Sequence, residues 1–197
     1  MRNLATFSIV AYDSQQQAWG VAVASKFLAV GNIVPWVRAG IGAVATQAYA
    51  NTSYGSSGLD CMAEGFSAQG TLTHLLDFDE ERESRQLGIV DSQGGSATFT
   101  GSDCLSWAGG IVGNHYAIQG NILAGPGVID AMAETFEQHS GSFLWKMYHS
   151  LLSGDQAGGD KRGRQSAAIY LESHGAGYGG NNDRWVDYRV DDHTDPV

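Results

Sequence analysis

The stretch ATFSIVAYDSQQQAWGVAVASKF, residues 5–27, decides the fold because it predicts a β-hairpin close to the start of the chain. Residues 5–13 and 18–25 alternate or run apolar and are rich in β-branched and aromatic side chains, which is typical of strands. The polar residues 14–17 between them predict a turn. We therefore expect the chain to begin with two antiparallel strands.

Strands and helices in the rest of the chain come in blocks. Further strands are predicted at 40–48, 86–91, 96–100, 106–113, 115–123, 166–173 and 184–190. Apolar residues at helical spacing predict helices at 59–66, 72–76, 127–139 and 142–152. Blocked rather than alternating elements favour antiparallel sheets with helices packed outside them. The pattern therefore predicts an α+β fold in a single domain over residues 1–197.

Composition limits the functions that the chain can have. Its net charge of −10 argues against nucleic-acid binding, which needs clustered Lys and Arg. No apolar run approaches the roughly 20 residues that a membrane span requires. The N-terminus lacks the apolar core of a signal peptide, and Cys61 and Cys104 form no C-x-x-C pair. We therefore expect a cytoplasmic protein that binds neither nucleic acid nor a membrane.

Two hydroxyl residues, Thr6 and Ser8, open the first predicted strand. A threonine can act as a nucleophile when its own free α-amine serves as the general base, since such an amine has a pKa near 7.7–8.0. This design requires Thr6 to be the first residue, so residues 1–5 would have to be removed. The alternative interpretation is a hydroxyl on an edge strand.

A second feature, Ser25 followed by Lys26, ends the second predicted strand. A lysine close to a hydroxyl can depress the pKa of that hydroxyl, or can itself become a base when it is desolvated. The hairpin brings the end of this strand next to the beginning of the first one. Ser25 and Lys26 are therefore candidate catalytic residues together with Thr6 and Ser8.

The loop GGDKRGRQSAA, residues 158–168, carries the densest set of polar side chains. Two arginines on a flexible glycine-containing loop can hold a carboxylate or a phosphate through bidentate hydrogen bonds. The alternative is a solvated loop whose arginines pair with the many carboxylates of the chain. Its candidate ligand-binding residues are Asp160, Arg162, Arg164 and Gln165.

Side-chain amides lie beside glycines in TQAYANTSYG (46–55) and IQGNILAG (118–125). Amides and exposed backbone N–H groups at a strand end can form an oxyanion hole or hold a polar ligand, although the same residues are also ordinary turn formers. The candidate residues in these two segments are Gln47, Asn51, Tyr54, Gln119 and Asn121.

The C-terminal segment, residues 177–196, is dense in acidic side chains. Its oxygen ligands include Asp183, Asp191 and Asp192, with His193 beside them, and a divalent cation can use such ligands. The spacing does not fit an EF-hand loop. A charged strand end and tail is the better interpretation, so we expect no metal and no cofactor.

Six motifs in register resemble one family. TFSIVAYD, WGVAVASKFLAVG, NTSYG, QGNILAGP, GGDKRGRQSAA and GYGGNNDR…VDDHTDP are similar, in that order, to motifs of the bacterial and archaeal family called domain of unknown function 1028. The resemblance spans residues 5–197. It implies a fold similar to that of the N-terminal-nucleophile (Ntn) hydrolases, a four-layer αββα sandwich of two antiparallel sheets flanked by helices.

The resemblance also implies roles for individual residues. Thr6 matches the nucleophile position, Ser8 is an alternative further along the strand, and Lys26 with Ser25 falls near the supporting position. The chain is thus expected to be an amidohydrolase acting on a small amide or peptide-like substrate. The alternatives are a non-catalytic protein that binds a small anionic metabolite or a cation, and a structural subunit. In each case we expect a homodimer or a higher homo-oligomer.

Overall fold

The computed structural model describes residues 6–197, which form four α-helices and ten β-strands in two antiparallel sheets. The strands are β1 (Thr6–Asp13), β2 (Ala18–Ser25), β3 (Pro35–Arg38), β4 (Gly42–Ala48), β5 (Arg85–Asp91), β6 (Ser96–Thr100), β7 (Gly109–Gly113), β8 (Tyr116–Asn121), β9 (Ser166–Ser173) and β10 (Arg184–Val190). The helices are α1 (Ser53–Ala63), α2 (Ala68–Asp77), α3 (Gly127–Gln138) and α4 (Phe143–Gln156).

The larger sheet has the strand order β10-β9-β2-β1-β8-β7, and the smaller sheet has the order β3-β4-β5-β6. The hairpin predicted from residues 5–27 is present, with Thr6 opposite Ser25 and Asp13 opposite Ala18. Strand β8 pairs with the other edge of β1. The first described strand is therefore internal to its sheet and not an edge strand.

Three hydrophobic clusters hold the sheets and helices together. One lies between the larger sheet and helices α3 and α4, a second between the two sheets, and a third between the smaller sheet and helices α1 and α2. Because successive strand residues point to opposite faces, Phe7 and Ile9 of β1 enter the first cluster while Val10 enters the second. The α+β class and the two antiparallel sheets expected from the sequence are confirmed.

The helix predicted at 59–66 has different limits in the structure. It begins earlier, at Ser53, and ends at Ala63. Gly65 has a φ of 96°, in the left-handed region that glycine adopts at helix ends. Phe66, which the apolar spacing placed on the buried stripe, consequently lies beyond the helix and is 41% exposed.

Strand β3 has no counterpart among the sequence predictions. It is only four residues long and begins with Pro35, and it forms an edge of the smaller sheet beside β4. Proline is tolerated at an edge because it has no N–H to donate to a ladder. Short edge strands of this kind carry little of the alternation by which strands are predicted.

Two sequence expectations concern the solvent and redox environment. No helix within residues 6–197 combines the length and the apolar character needed to cross a membrane. Cys61 and Cys104 are free thiols. Burial raises the pKa of the Cys104 thiol to about 11.

Candidate functional site

A row of four polar side chains crosses one end of the larger sheet. Asn121, Thr6, Ser25 and Ser166 occupy consecutive strands, and each is the cross-strand neighbour of the next. Thr6 Oγ1 donates a hydrogen bond of 3.2 Å to Ser25 Oγ. All four side chains are buried and lie on the face from which Val23 enters the cluster between the sheets. We call these four residues the polar row.

Behind the polar row, amide side chains from both sheets form a buried network. Ser8 Oγ donates to Gln47 Oε1 at 2.6 Å and accepts from Gln119 Nε2 at 2.7 Å. Gln86 Oε1 accepts from Gln47 Nε2 at 2.8 Å and from Asn121 Nδ2 at 2.9 Å. We call these five residues the amide network, and it joins the larger sheet to the smaller one.

The amide network supports the polar row directly. Gln47 Nε2 lies 3.4 Å from the backbone oxygen of Thr6, and Asn121 belongs to both groups. Among residues 6–197, Thr71 is the only residue with a buried side-chain polar atom that has no partner. Ser8 is thus fully engaged in the network, so its hydroxyl lies behind the row and not at its surface.

A loop, residues 158–165, lies against the end of β2 and is organised by Asp160. The buried Asp160 carboxylate accepts from the backbone N–H of Lys26 at 2.7 Å and from that of Arg162 at 2.9 Å. It also pairs with the Arg162 guanidinium at 3.0 Å. Gly163 has a φ of 109°, so the chain turns sharply there.

Arg164 is held by a second buried carboxylate. Its Nε donates to Asp155 Oδ1 at 2.7 Å, and its Nη1 lies 3.8 Å from Asp195 Oδ1. The hydrogen bond and the charge of Asp155 raise the pKa of Arg164, which keeps it cationic. Within the described chain, the Lys26 ammonium donates to the Arg164 carbonyl at 3.1 Å and not to Thr6.

The loop and two residues of the polar row, Ser25 and Ser166, line a cavity of about 10 Å³ together with Asp155 and Phe7. This volume is at the lower limit for one water molecule. A molecule larger than water therefore fits here only if the loop moves. The predicted residues that the structure gathers at this end of the larger sheet are Thr6, Ser25, Lys26, Asn121, Asp160, Arg162, Arg164 and Gln165.

Asn51 and Tyr54 belong to a different group, centred on Asp79. Tyr54 Oη donates to Asp79 at 2.6 Å, Asn51 Nδ2 lies 3.4 Å from it, and Arg85 Nε donates to it at 2.8 Å. The Arg85 hydrogen bond holds the pKa of Asp79 well below its usual range. Burial, together with Asp79, raises the pKa of Tyr54. This group ties the start of α1 to the smaller sheet.

Asp183 lies at the other end of the larger sheet. It follows a turn from Ser173, the last residue of β9, whereas the polar row uses Ser166, the first residue of that strand. Its carboxylate accepts from the Gly175 backbone N–H at 2.9 Å and lies 3.4 Å from His174. The structure therefore separates Asp183 from Thr6 by the length of the sheet.

The acidic tail passes close to the polar row. Gln165 Nε2 donates to the Asp192 carboxylate at 3.1 Å. The backbone N–H of His193 donates to the backbone carbonyl oxygen of Gln165. Asp191, one residue earlier, is exposed. Across residues 6–197 no group of three or more His, Cys, Asp or Glu side chains is placed to hold a metal ion.

Three residues of this site were not among the sequence candidates: Ser166, Gln86 and Asp155. Each had a signal in the sequence, because a polar side chain stood in or next to a strongly apolar segment. Ser166 accepts from the backbone N–H of Val30 at 3.0 Å, so it also anchors the segment after β2. Which polar residues share one row depends on strand register, and single segments do not reveal that register.

Comparison with known proteins gives the following matches. The family model of DUF1028, described as a family of unknown function, matches residues 6–197. The chain is similar to the crystal structure of protein SPO2555 from Silicibacter pomeroyi, which carries the same family description. The two are 30% identical with a TM-score of 0.88, and the match covers 97% of this chain and 80% of that chain. No curated protein matches the chain.

Proposed function

The chain belongs to DUF1028, a family of unknown function, and from that premise we propose that it is an amide hydrolase of the Ntn type. The proposed fold relationship is the four-layer αββα sandwich of that superfamily. It is supported by the three hydrophobic clusters, of which one lies between the two sheets and the other two lie between each sheet and its helices. The proposed substrate is a small amide or peptide-like molecule.

One observation carries the proposal: Thr6 opens an internal strand and its hydroxyl is hydrogen-bonded to Ser25 Oγ at 3.2 Å. A nucleophile at the start of a strand, between two neighbouring strands, has a fixed position. Asn121 flanks Thr6 on one side and Ser25 on the other. This gives the nucleophile a hydroxyl and an amide as its immediate neighbours.

Hydrolysis of the peptide bond between Ala5 and Thr6 converts the Thr6 amide nitrogen into an α-amine. Residues 1–5 lie outside the described chain. The amine takes the proton of Thr6 Oγ1 as the oxygen attacks the substrate carbonyl carbon, and the proton then passes to the leaving amine. The C–N bond of the substrate breaks and an acyl ester forms on Thr6. Water hydrolyses the ester and regenerates the hydroxyl.

Two further groups are assigned roles in this proposal. Asn121 stabilises the developing oxyanion, because its amide is adjacent to Thr6 across the β1–β8 pair and is already oriented by Gln86. Arg164, 45% exposed, holds a substrate carboxylate once the loop opens. Lys26 positions the loop through its bond to the Arg164 carbonyl.

The intact mass of the purified protein, fresh and after days at 37 °C, tests the proposal. We expect a species that begins at Thr6 and that hydrolyses small amides. Thr6→Ala abolishes this turnover, whereas Thr73→Ala, at an exposed threonine of α2, leaves it unchanged. A mass that stays at the full-length value removes the mechanism based on an N-terminal threonine.

A non-catalytic receptor for a small anionic molecule is the second candidate. It is favoured by the way in which the buried Asp155 and Asp160 orient Arg164 and Arg162 without any contribution from Thr6. In that case Arg164→Ala weakens ligand capture whether or not Thr6 is replaced. For both the hydrolase and the receptor, we propose a cytoplasmic location and a homo-oligomeric state.

A further inference from the structure

A larger cavity lies at the opposite end of β1 from Thr6. It has a volume of about 340 Å³ and is formed where the β1–β2 turn, the β7–β8 turn and the segment between α3 and α4 meet. Small-molecule sites commonly have volumes of roughly 300–1,000 Å³. The polar residues that line this cavity include Asp13, Asn114, His115, His139 and Lys146.

Three of the lining side chains are bases without an acidic partner. Within the described part of the chain, His115, His139 and Lys146 have no carboxylate within ion-pairing distance. The Lys146 ammonium lies 4.6 Å from the centre of the Phe136 ring. One ammonium and two imidazoles around one cavity suit an anionic ligand, because an anion can accept hydrogen bonds from all three side chains.

His139 is oriented so that it can donate a hydrogen bond. Its Nδ1 accepts from the backbone N–H of Gly141 at 2.9 Å. The ring proton of the neutral form therefore lies on Nε2. The ring is also stacked on His149, with the centres 4.5 Å apart. His115 is likewise held by stacking, on Tyr12 at 5.5 Å.

The one carboxylate in the cavity wall is already engaged. Asp13 Oδ1 accepts from the backbone N–H groups of Gln15 and Gln16 at 2.9 and 2.8 Å, and Oδ2 lies 3.3 Å from Gln16 Nε2. These bonds spread the negative charge over the turn. The cavity thus presents an ammonium and two imidazoles against one satisfied carboxylate.

We propose that this cavity binds a small phosphate-bearing molecule. A phosphate monoester carries close to two negative charges at neutral pH and accepts hydrogen bonds on several oxygens, which matches one lysine and two histidines around a single space. The eight residues of β1 separate the cavity from the polar row by roughly 23 Å. The site is therefore independent of the proposed hydrolase chemistry.

Titration of the ¹⁵N-labelled protein with inorganic phosphate and with ribose 5-phosphate, at constant ionic strength, tests the proposal. We expect saturable shifts of the backbone amides of Asn114, His115 and Gly141. Lys146→Met keeps the aliphatic stem on Phe136 but removes the charge, and it weakens binding by at least about tenfold. Lys161→Met, the same charge change at the other end of the sheet, leaves binding unchanged.

Two results would overturn the proposal. One is the absence of saturable shifts at these amides with both phosphate compounds. The other is binding that Lys146→Met and Lys161→Met weaken to the same extent, since that shows attraction to overall charge only. Should Lys146→Met fail to fold, His115→Gln provides the same readout, because it changes an imidazole in a turn and leaves α4 intact.

Discussion

Ser8 of the larger sheet and Gln47 of the smaller sheet share a hydrogen bond of 2.6 Å between their side chains. This contact replaces apolar packing at one end of the space between the sheets. A buried polar group is expensive when it lacks a partner, and cheap only when every donor and acceptor is used. The amide network therefore fixes how the two sheets are positioned behind the polar row.

Gln47→Leu should destabilise the protein by roughly 1–3 kcal/mol, because it leaves the Ser8 hydroxyl without an acceptor. A chain of this length then melts several degrees lower. Calorimetry measures the loss. Gln15→Leu, at an exposed turn residue, is the control and changes little. Adding Ser8→Ala to Gln47→Leu should recover part of the loss, and a purely additive double variant would contradict the network.

Asp79→Asn should cost roughly 3 kcal/mol at pH 7, because the buried Arg85 keeps only Glu81 as its counter-charge. The pKa of Asp79 is depressed in the folded state. Its contribution is therefore present above the unfolded pKa of about 3.9 and is lost as the pH falls towards the folded pKa. In urea unfolding, the stability difference between the two proteins should thus begin to shrink below about pH 4 and keep shrinking as the pH falls towards the folded pKa. Asp60→Asn, in an exposed pair with Arg38, should have almost no effect.

Arg164 and Asp155 should show a favourable coupling in a double-mutant cycle. Arg164→Ala leaves the buried Asp155 carboxylate without its ion-pair partner, and we expect a loss of about 1 kcal/mol since the arginine is half exposed. Asp155→Asn in the same protein should remove most of that penalty. Chemical denaturation measures all three variants. Losses that simply add would show that the ion pair does not hold the loop.

Cys104 should react slowly with thiol reagents. Burial raises its pKa to about 11, so that at pH 8 its thiolate fraction is roughly a hundredfold or more below that of a free cysteine, whose pKa is about 8.5. In Cys61→Ser, the rate with a disulfide reagent should rise about tenfold per pH unit up to pH 10. The same protein in denaturant is the control. A fast reaction at pH 8 in the folded state would contradict the burial of this thiol.

Long, strongly patterned segments predicted the fold well. Strands β1 and β2 and helices α3 and α4 have clear periods, and the structure places them close to the predicted limits. The failures have local causes. The edge strand at Pro35–Arg38 is too short to show a period. Helix α1 starts in NTSYG, where Gly55 is needed for close contact with Trp36 although glycine disfavours helices.

The candidate site was only partly predictable. Chain order alone placed Thr6 and Ser25 together, because a tight hairpin fixes its own register. The neighbours contributed by β9 and β5 come from distant parts of the chain, so Ser166 and Gln86 could not be assigned to the row or to the network. Asn51 and Tyr54 resembled site residues, but a buried ion pair on the smaller sheet holds them.

The internal position of β1 determines what a cut immediately before Thr6 would produce. Most chain termini fray, because one side of the backbone lacks a partner. A terminus created before Thr6 would instead lie within a sheet that has already formed, with β2 paired on one side and β8 on the other. The new α-amine would have little freedom to move away from the Thr6 hydroxyl. Maturation would thus deliver an aligned pair of reacting groups without any further folding step.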